Sequence, residues 1–229
     1  MLRRALAIDE QNFGPDHSSV AQDLNNLAQL LKTTNRLAAA EPLMRRALAI
    51  DEKALGPNHP EIAIRLNNLG RLLLATNRLA EAEPLMRRAL TIDEHNFGPD
   101  HPKVAIRLNG IAGLLLATNR AKEAIPLSER SLRINESALG RDHPSTAVSL
   151  SWLAHAYQDT NRLAAAEPLM RRAVEISFKF TRDTGHTHSH QQAYVDNYVG
   201  LLKEMGRSPQ EVLAQLNAVG QPFGIRFGG

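Results

Sequence analysis

The stretch LNNLGRLLLATNRLAEAEPLMRRAL, from Leu66 to Leu90, decides the fold because the chain repeats it. The pattern returns as Leu24 to Leu48, Leu108 to Leu132 and Leu150 to Val174. Asn35-Arg36, Asn77-Arg78, Asn119-Arg120 and Asn161-Arg162 recur every 42 residues, and so do Gly14, Gly56, Gly98 and Gly140. Repetition at this period signals stacked helical or β units, each burying its apolar face only against its neighbours. Such an array holds another chain, and its repeats do not name that chain.

Within the unit, Leu66, Leu69 and Leu73 follow the i, i+3, i+7 spacing of an amphipathic helix over roughly 60–74. A small residue follows the middle leucine each time (Ala28, Gly70, Ala112, Ala154), which allows two helices to approach closely. The asparagines at 35, 77, 119 and 161 mark the turn to a second helix, and Gly206 takes that place in the last copy. Asparagine and glycine are the residues that tolerate positive φ, so a left-handed turn residue is expected there. The second helix is expected over about Arg78 to Phe97, turning Ala82, Met86, Ala89 and Leu90 inward, with Ala40, Met44, Ala47 and Leu48 as equivalents. Pro42, Pro84, Pro126 and Pro168 fall inside it. An interior proline costs about 3 kcal/mol in an isolated helix, so four identical placements predict packing that accommodates it with a slight bend. Gly14 and its equivalents should end each second helix in a left-handed cap. His59-Pro60, His101-Pro102 and His143-Pro144 then open the next first helix, with proline at a favoured first position.

Composition narrows the class. Aromatics make up only 4% of the 229 residues, low for a β-sandwich or propeller, and the Ala/Leu/Arg/Glu-rich segments favour helix. Zero cysteines exclude disulfide staples and cysteine-ligated zinc or iron–sulfur sites, and suit a cytoplasmic protein. No apolar run approaches membrane-spanning length, and MLRRALAIDE lacks the apolar core of a signal peptide. The net charge of +3 arises largely from Arg-Arg pairs at 3/4, 45/46, 87/88 and 171/172, each near acidic residues of the same helix. They read as solvated flanks. A nucleic-acid track would want a denser basic stripe with stacking aromatics, so neither nucleic acid nor membrane is expected as a partner. No GxGxxG, P-loop, HExxH or nucleophile elbow occurs, and no catalysis or cofactor is expected. His17, His59, His101 and His143 occupy the same loop of different repeats and read as helix caps. His186, His188 and His190 cluster more closely, but read as an incidental polar loop and not a metal site.

Residues 2–13 match Met44 to Leu55, so the chain opens on a second helix, as a piece of a longer array would. We divide it into a half repeat (1–17), repeats at 18–59, 60–101, 102–143 and 144–185, a degenerate capping repeat (186–219) and a flexible tail (220–229). Length alone would also fit HEAT or armadillo units. The order Leu69-Gly70, Leu73, Ala82, Met86, Ala89 instead resembles the tetratricopeptide pattern, lengthened in its second helix and loop. LNNLG (66–70), AEAEPLMRRALTIDE (80–94) and FGPDHPKVA (97–105) resemble the elongated repeats of kinesin light chains and their bacterial relatives, over residues 2 to about 181 and weakly over 186–219. These residues hold no heptad segment of the kind that joins a kinesin light chain to its heavy chain, which favours the bacterial type.

That resemblance implies an all-α, right-handed superhelical solenoid of about eleven helices in antiparallel pairs, with the first helices lining a concave groove. It implies a non-catalytic scaffold that binds an extended peptide or protein segment. The groove residues would be Asn25, Gln29, Asn67, Arg71 and Asn109, joined by Trp152 and His155 where the asparagine ladder breaks. Asn26, Arg65, Asn68, Arg107 and Asn197 would form its rim. A side-chain amide offers a peptide backbone both donors and an acceptor, although the same asparagines could instead tie neighbouring helices together. Arg65, Arg71 and Arg107 would favour an acidic segment. Trp152 is either an anchor for a ligand side chain or an ordinary packed indole. The alternative is a self-associating or sensor segment of a larger signalling protein. Self-association would run through the half repeat, with Leu2, Leu6 and Ile8, or through the apolar tail Phe223 to Phe227.

Overall fold

The computed structural model describes residues 1–228. Those residues form α1 (Leu2–Phe13), α2 (Ser18–Thr33), α3 (Leu37–Leu55), α4 (Pro60–Ala75), α5 (Leu79–Phe97), α6 (Pro102–Ala117), α7 (Ala121–Leu139), α8 (Pro144–Asp159), α9 (Leu163–Thr184), α10 (Gln191–Glu204) and α11 (Pro209–Gly220), then a 3-10 turn at Gln221–Phe223. There is no strand among them. Helices adjacent in sequence pack on one another, giving an all-α architecture of paired helices. The chain divides within α6 into two compact units, Met1–Leu114 and Leu115–Gly229.

The turns follow from local backbone chemistry. Asn35, Asn77, Asn119 and Asn161 have φ of 56 to 58°, in the left-handed helical region, and Gly206 has φ 79°. The glycines that end the second helices differ from the cap expected of them. Gly56 has φ 83° and ψ 158°, which is not the left-handed helical conformation. It lies in an extended positive-φ region that only glycine enters readily, so asparagine can serve in one turn and not in the other. Each following helix is opened by a histidine. The Nδ1 atoms of His17, His59, His101 and His143 accept the backbone N–H two residues on, at 3.1 to 3.2 Å.

In the first unit, Val20, Ala21 and Leu24 of α2 pack with Ala47 and Ile50 of α3. Ile62, Ala63 and Leu66 of α4 pack with Ala89 and Ile92 of α5 in the same way. The expected inner positions Ala40, Met44, Ala47, Ala82, Met86 and Ala89 are buried. Leu48 is only partly buried and packs on the core of the repeat after its own. Leu6 of the half repeat packs against the α2–α3 core, while Ile8 stays 44% exposed.

In the second unit the three extra residues lengthen a helix. α9 has 22 residues against 19 for α3, α5 and α7, and ends at Gly185 in a left-handed cap. The tail folds back on the closing helices. Phe223, Ile225 and Phe227 pack on the core that contains Phe178. Asn217 Oδ1 accepts the Phe227 N–H at 2.8 Å, and Gly220 O accepts that of Ile225 at 3.1 Å. This tail therefore covers apolar surface that would otherwise meet water at the end of the array.

Candidate functional site

The register of the first helices sorts the candidate residues into three groups. The first comprises Arg65 and Arg107, expected at a basic groove rim, and here the structure corrects the sequence reading. Arg65 is 4% exposed and its Nε donates to Asp51 Oδ2 at 2.8 Å. It also reaches Gln22 Oε1 at 3.1 Å and forms an ion pair with Glu61 at 3.0 Å. Arg107 Nε pairs with Asp93 Oδ2 at 2.7 Å in the same register. These guanidiniums lock a first helix to the second helix before it and do not face a ligand. The Arg-Arg pairs also do more than flank. Arg45 and Arg87 bond within their own helix, to Glu41 and Glu83. Arg46 and Arg88 instead reach the preceding second helix, at Glu10 and Glu52, and the carbonyls of Pro15 and Pro57.

The second group is the asparagine ladder of the first unit. Asn25, Asn67 and Asn109 are all buried. Asn68 Nδ2 donates to Asn25 Oδ1 at 3.3 Å, so this rim residue closes the seam between α2 and α4. The next seam lacks that contact, because Gly110 stands where Asn26 and Asn68 stand in the earlier copies. A Cβ at Gly110 would lie 3.3 Å from Asn67 Oδ1 and 2.9 Å from Met86 Cε. The Asn67 side chain is 6% exposed and its Oδ1 faces a bare stretch of backbone at Gly110. Asn26 is exposed and accepts from Gln22. Gln29 is half-buried and Arg71 exposed, and Arg71 makes no ion pair among the described residues. The sequence reading missed Lys32, a half-buried lysine where the later copies have Leu74 and Leu116. Burial, followed by the charge of Arg71, holds its ammonium below the usual lysine range. A charged residue where the next two copies carry leucine was the signal.

The third group lies in the second unit. Trp152 and His155 of α8 and Asn197 of α10 come together around one pocket, which Val148, Ser151, His190, Ala193 and Tyr194 complete. His188 is buried, and its Nδ1 accepts the His190 N–H at 3.1 Å. It repeats the bond that His17 and its equivalents make to the N–H two residues on, displaced by the three-residue insertion, but α10 itself begins at Gln191 with His190 as its N-cap. No group of three or more metal-ligating side chains occurs among the described residues. No helix among them is long and apolar enough to cross a membrane.

The sequence model of the tetratricopeptide repeat family matches residues 1–53, 36–95, 80–137 and 104–177. No curated protein matches the chain. Among solved structures, it is similar to the kinesin light chain nearly identical TPR-like repeats of Podosopora anserina, at 25% identity and TM-score 0.67, covering 79% of this chain and 85% of that one. It is similar in fold to BtubC (BKLC) from P. vanneervenii, at 18% identity and TM-score 0.73, covering 100% and 90%. It is also similar in fold to YrrB, described as a TPR protein with an unusual peptide-binding site, at 17% identity and TM-score 0.54, covering 97% and 94%. Proteins of this fold serve as protein-interaction scaffolds, and are in general not catalysts. The chain belongs to the tetratricopeptide repeat family, and its repeats are of the kinesin-light-chain-like kind.

Proposed function

We propose that the first unit holds an extended peptide or partner segment along its first helices, with Asn67 bonded to the segment's backbone. The observation that carries this reading is the Asn67 amide oxygen set against the bare backbone of Gly110. Glycine at 110 removes the side chain that would block an approaching backbone. Asn25 takes the other role weighed for these asparagines, since its oxygen is committed to Asn68.

An acidic segment remains the favoured partner, on different grounds from those first given. Arg65 and Arg107 are compensated, whereas Arg71 and Lys32 lie close enough to repel one another and have no carboxylate partner. A carboxylate from the bound segment would relieve that repulsion. YrrB, which shares the fold, has a peptide-binding site.

The test is to select ligands for the full chain from a displayed library of random peptides and to measure the affinity of the winners. Asn67→Ala should weaken them at least about tenfold, the worth of one well-made hydrogen bond, with helical circular dichroism unchanged. Arg71→Ala should weaken acidic winners selectively. Undiminished affinity in Asn67→Ala would remove this reading.

A further inference from the structure

The seam between α8 and α10 differs from the seam between α2 and α4 in a way that points to a ligand. Ser151 stands in the register of Asn25 and Asn67, and Asn197 stands in that of Asn68 once the insertion is counted. Between α2 and α4 two amides meet and close the gap at 3.3 Å. Between α8 and α10 a short hydroxyl takes the place of one amide, and a cavity of about 190 Å³ opens there. Drug-sized ligands occupy about 300–1,000 Å³, so this space suits a single side chain and not a whole small molecule.

Its walls are rings. Trp152 meets His155 edge to face, with centroids 6.1 Å apart, and His190 stacks on Tyr194 at 6.0 Å. No carboxylate, lysine or arginine lines the space. Burial pushes the His155 imidazolium below its usual range against the opposing charge of Asp159, so the ring is neutral at pH 7. His188 Nδ1 accepts the His190 N–H at 3.1 Å and so fixes the backbone of the far wall. Tyr194, on the same wall, is 4% exposed.

We propose that this pocket receives one large uncharged side chain, aromatic or leucine-sized, from a bound peptide or partner segment. The proposal rests on the peptide-binding reading for the source of that side chain. A cation is the less suitable occupant. The rings would attract it, but no carboxylate is present to offset its desolvation.

Trp152 is the chain's single tryptophan, so its fluorescence reports on this pocket alone. The full chain is titrated with N-acetylphenylalanine amide, N-acetylleucine amide, N-acetyllysine amide and tetramethylammonium chloride. The phenylalanine and leucine amides should give saturable shifts, and Ala193→Leu, which fills the space from an exposed position, should weaken both at least about tenfold. Asn67→Ala should leave both titrations unchanged. A saturable response in a protein that captures no peptide supports the pocket and sinks only the backbone-holding reading. No saturable response, tighter binding of tetramethylammonium than of the two amides, or an Ala193→Leu variant that still binds would each overturn the proposal.

Discussion

The two units solve the same joint with different chemistry. In the first, a buried carboxylate and guanidinium fasten a second helix to the first helix that follows it, as Asp51–Arg65 and Asp93–Arg107. In the second, the same positions are Asn135 and Ser149, and the Asn135 Nδ2 donates to Ser149 Oγ at 2.9 Å. Ser131 adds a bond to the same hydroxyl at 2.8 Å. The joint survives the loss of both charges because geometry and satisfied hydrogen bonds are what it requires. A buried ion pair is no stronger than a neutral pair of the right shape, but it punishes the loss of one partner far more. At the opening of the chain the same two positions are Asp9 and Asp23, so the joint carries two like charges.

The largest effect should come from breaking the ionic version on one side. Arg65→Met leaves the Asp51 carboxylate buried and uncompensated, and should lower stability by about 3–5 kcal/mol, read from urea unfolding. The double change Asp51→Asn with Arg65→Ser copies the Asn135–Ser149 pair of the second unit's joint, and should cost less than the single change. If the double variant were as unstable as the single one, the equivalence of the two joints would fail.

The half-repeat joint gives a smaller effect of opposite sign. Burial, then the charge of Asp9, raises the Asp23 carboxyl above its usual range. The folded form therefore holds that proton more tightly than the unfolded chain, and this group's contribution to stability falls as pH rises from the usual carboxylate range through the raised value. Asp23→Asn should flatten that part of the pH profile, and Asp23→Arg should restore the ionic joint and add about 1 kcal/mol at pH 7. Thermal melts between pH 3 and 7 check both. The least effect belongs to the exposed pair Lys53–Asp16, with side chains 73% and 62% exposed. Lys53→Met should change the melting temperature little, since an exposed pair is screened by water and salt.

The repeats were legible because their period fixes turn chemistry and apolar face together. Asn77 and Gly206 revealed a positive-φ turn, and Leu66, Leu69 and Leu73 revealed the buried stripe, before any coordinates. The joints were not legible in the same way. Arg65 sits one residue before Leu66, and its partner Asp51 lies 14 residues earlier on another helix. Nothing in the spacing says that the pair turns inward, and an arginine beside an apolar stripe reads equally well as a groove residue. His188 was hidden by the insertion, which broke the register of the four histidine caps. The packing of the tail was not legible either, because Phe223 and Phe227 find Phe178 only in three dimensions. In the candidate site, grouping Trp152, His155 and Asn197 required only the repeat register. The difference between Asn25 and Asn67 required the single exchange of asparagine for glycine at 110.

That exchange allows a direct test. Side-chain amide resonances of Asn67 and Asn68 can be followed by NMR as a selected peptide is added to the full chain. Asn67 should shift and its amide protons should become protected from exchange, while Asn68, already bonded to Asn25, should move little. A peptide that binds with the Asn67 amide unmoved would contradict the account.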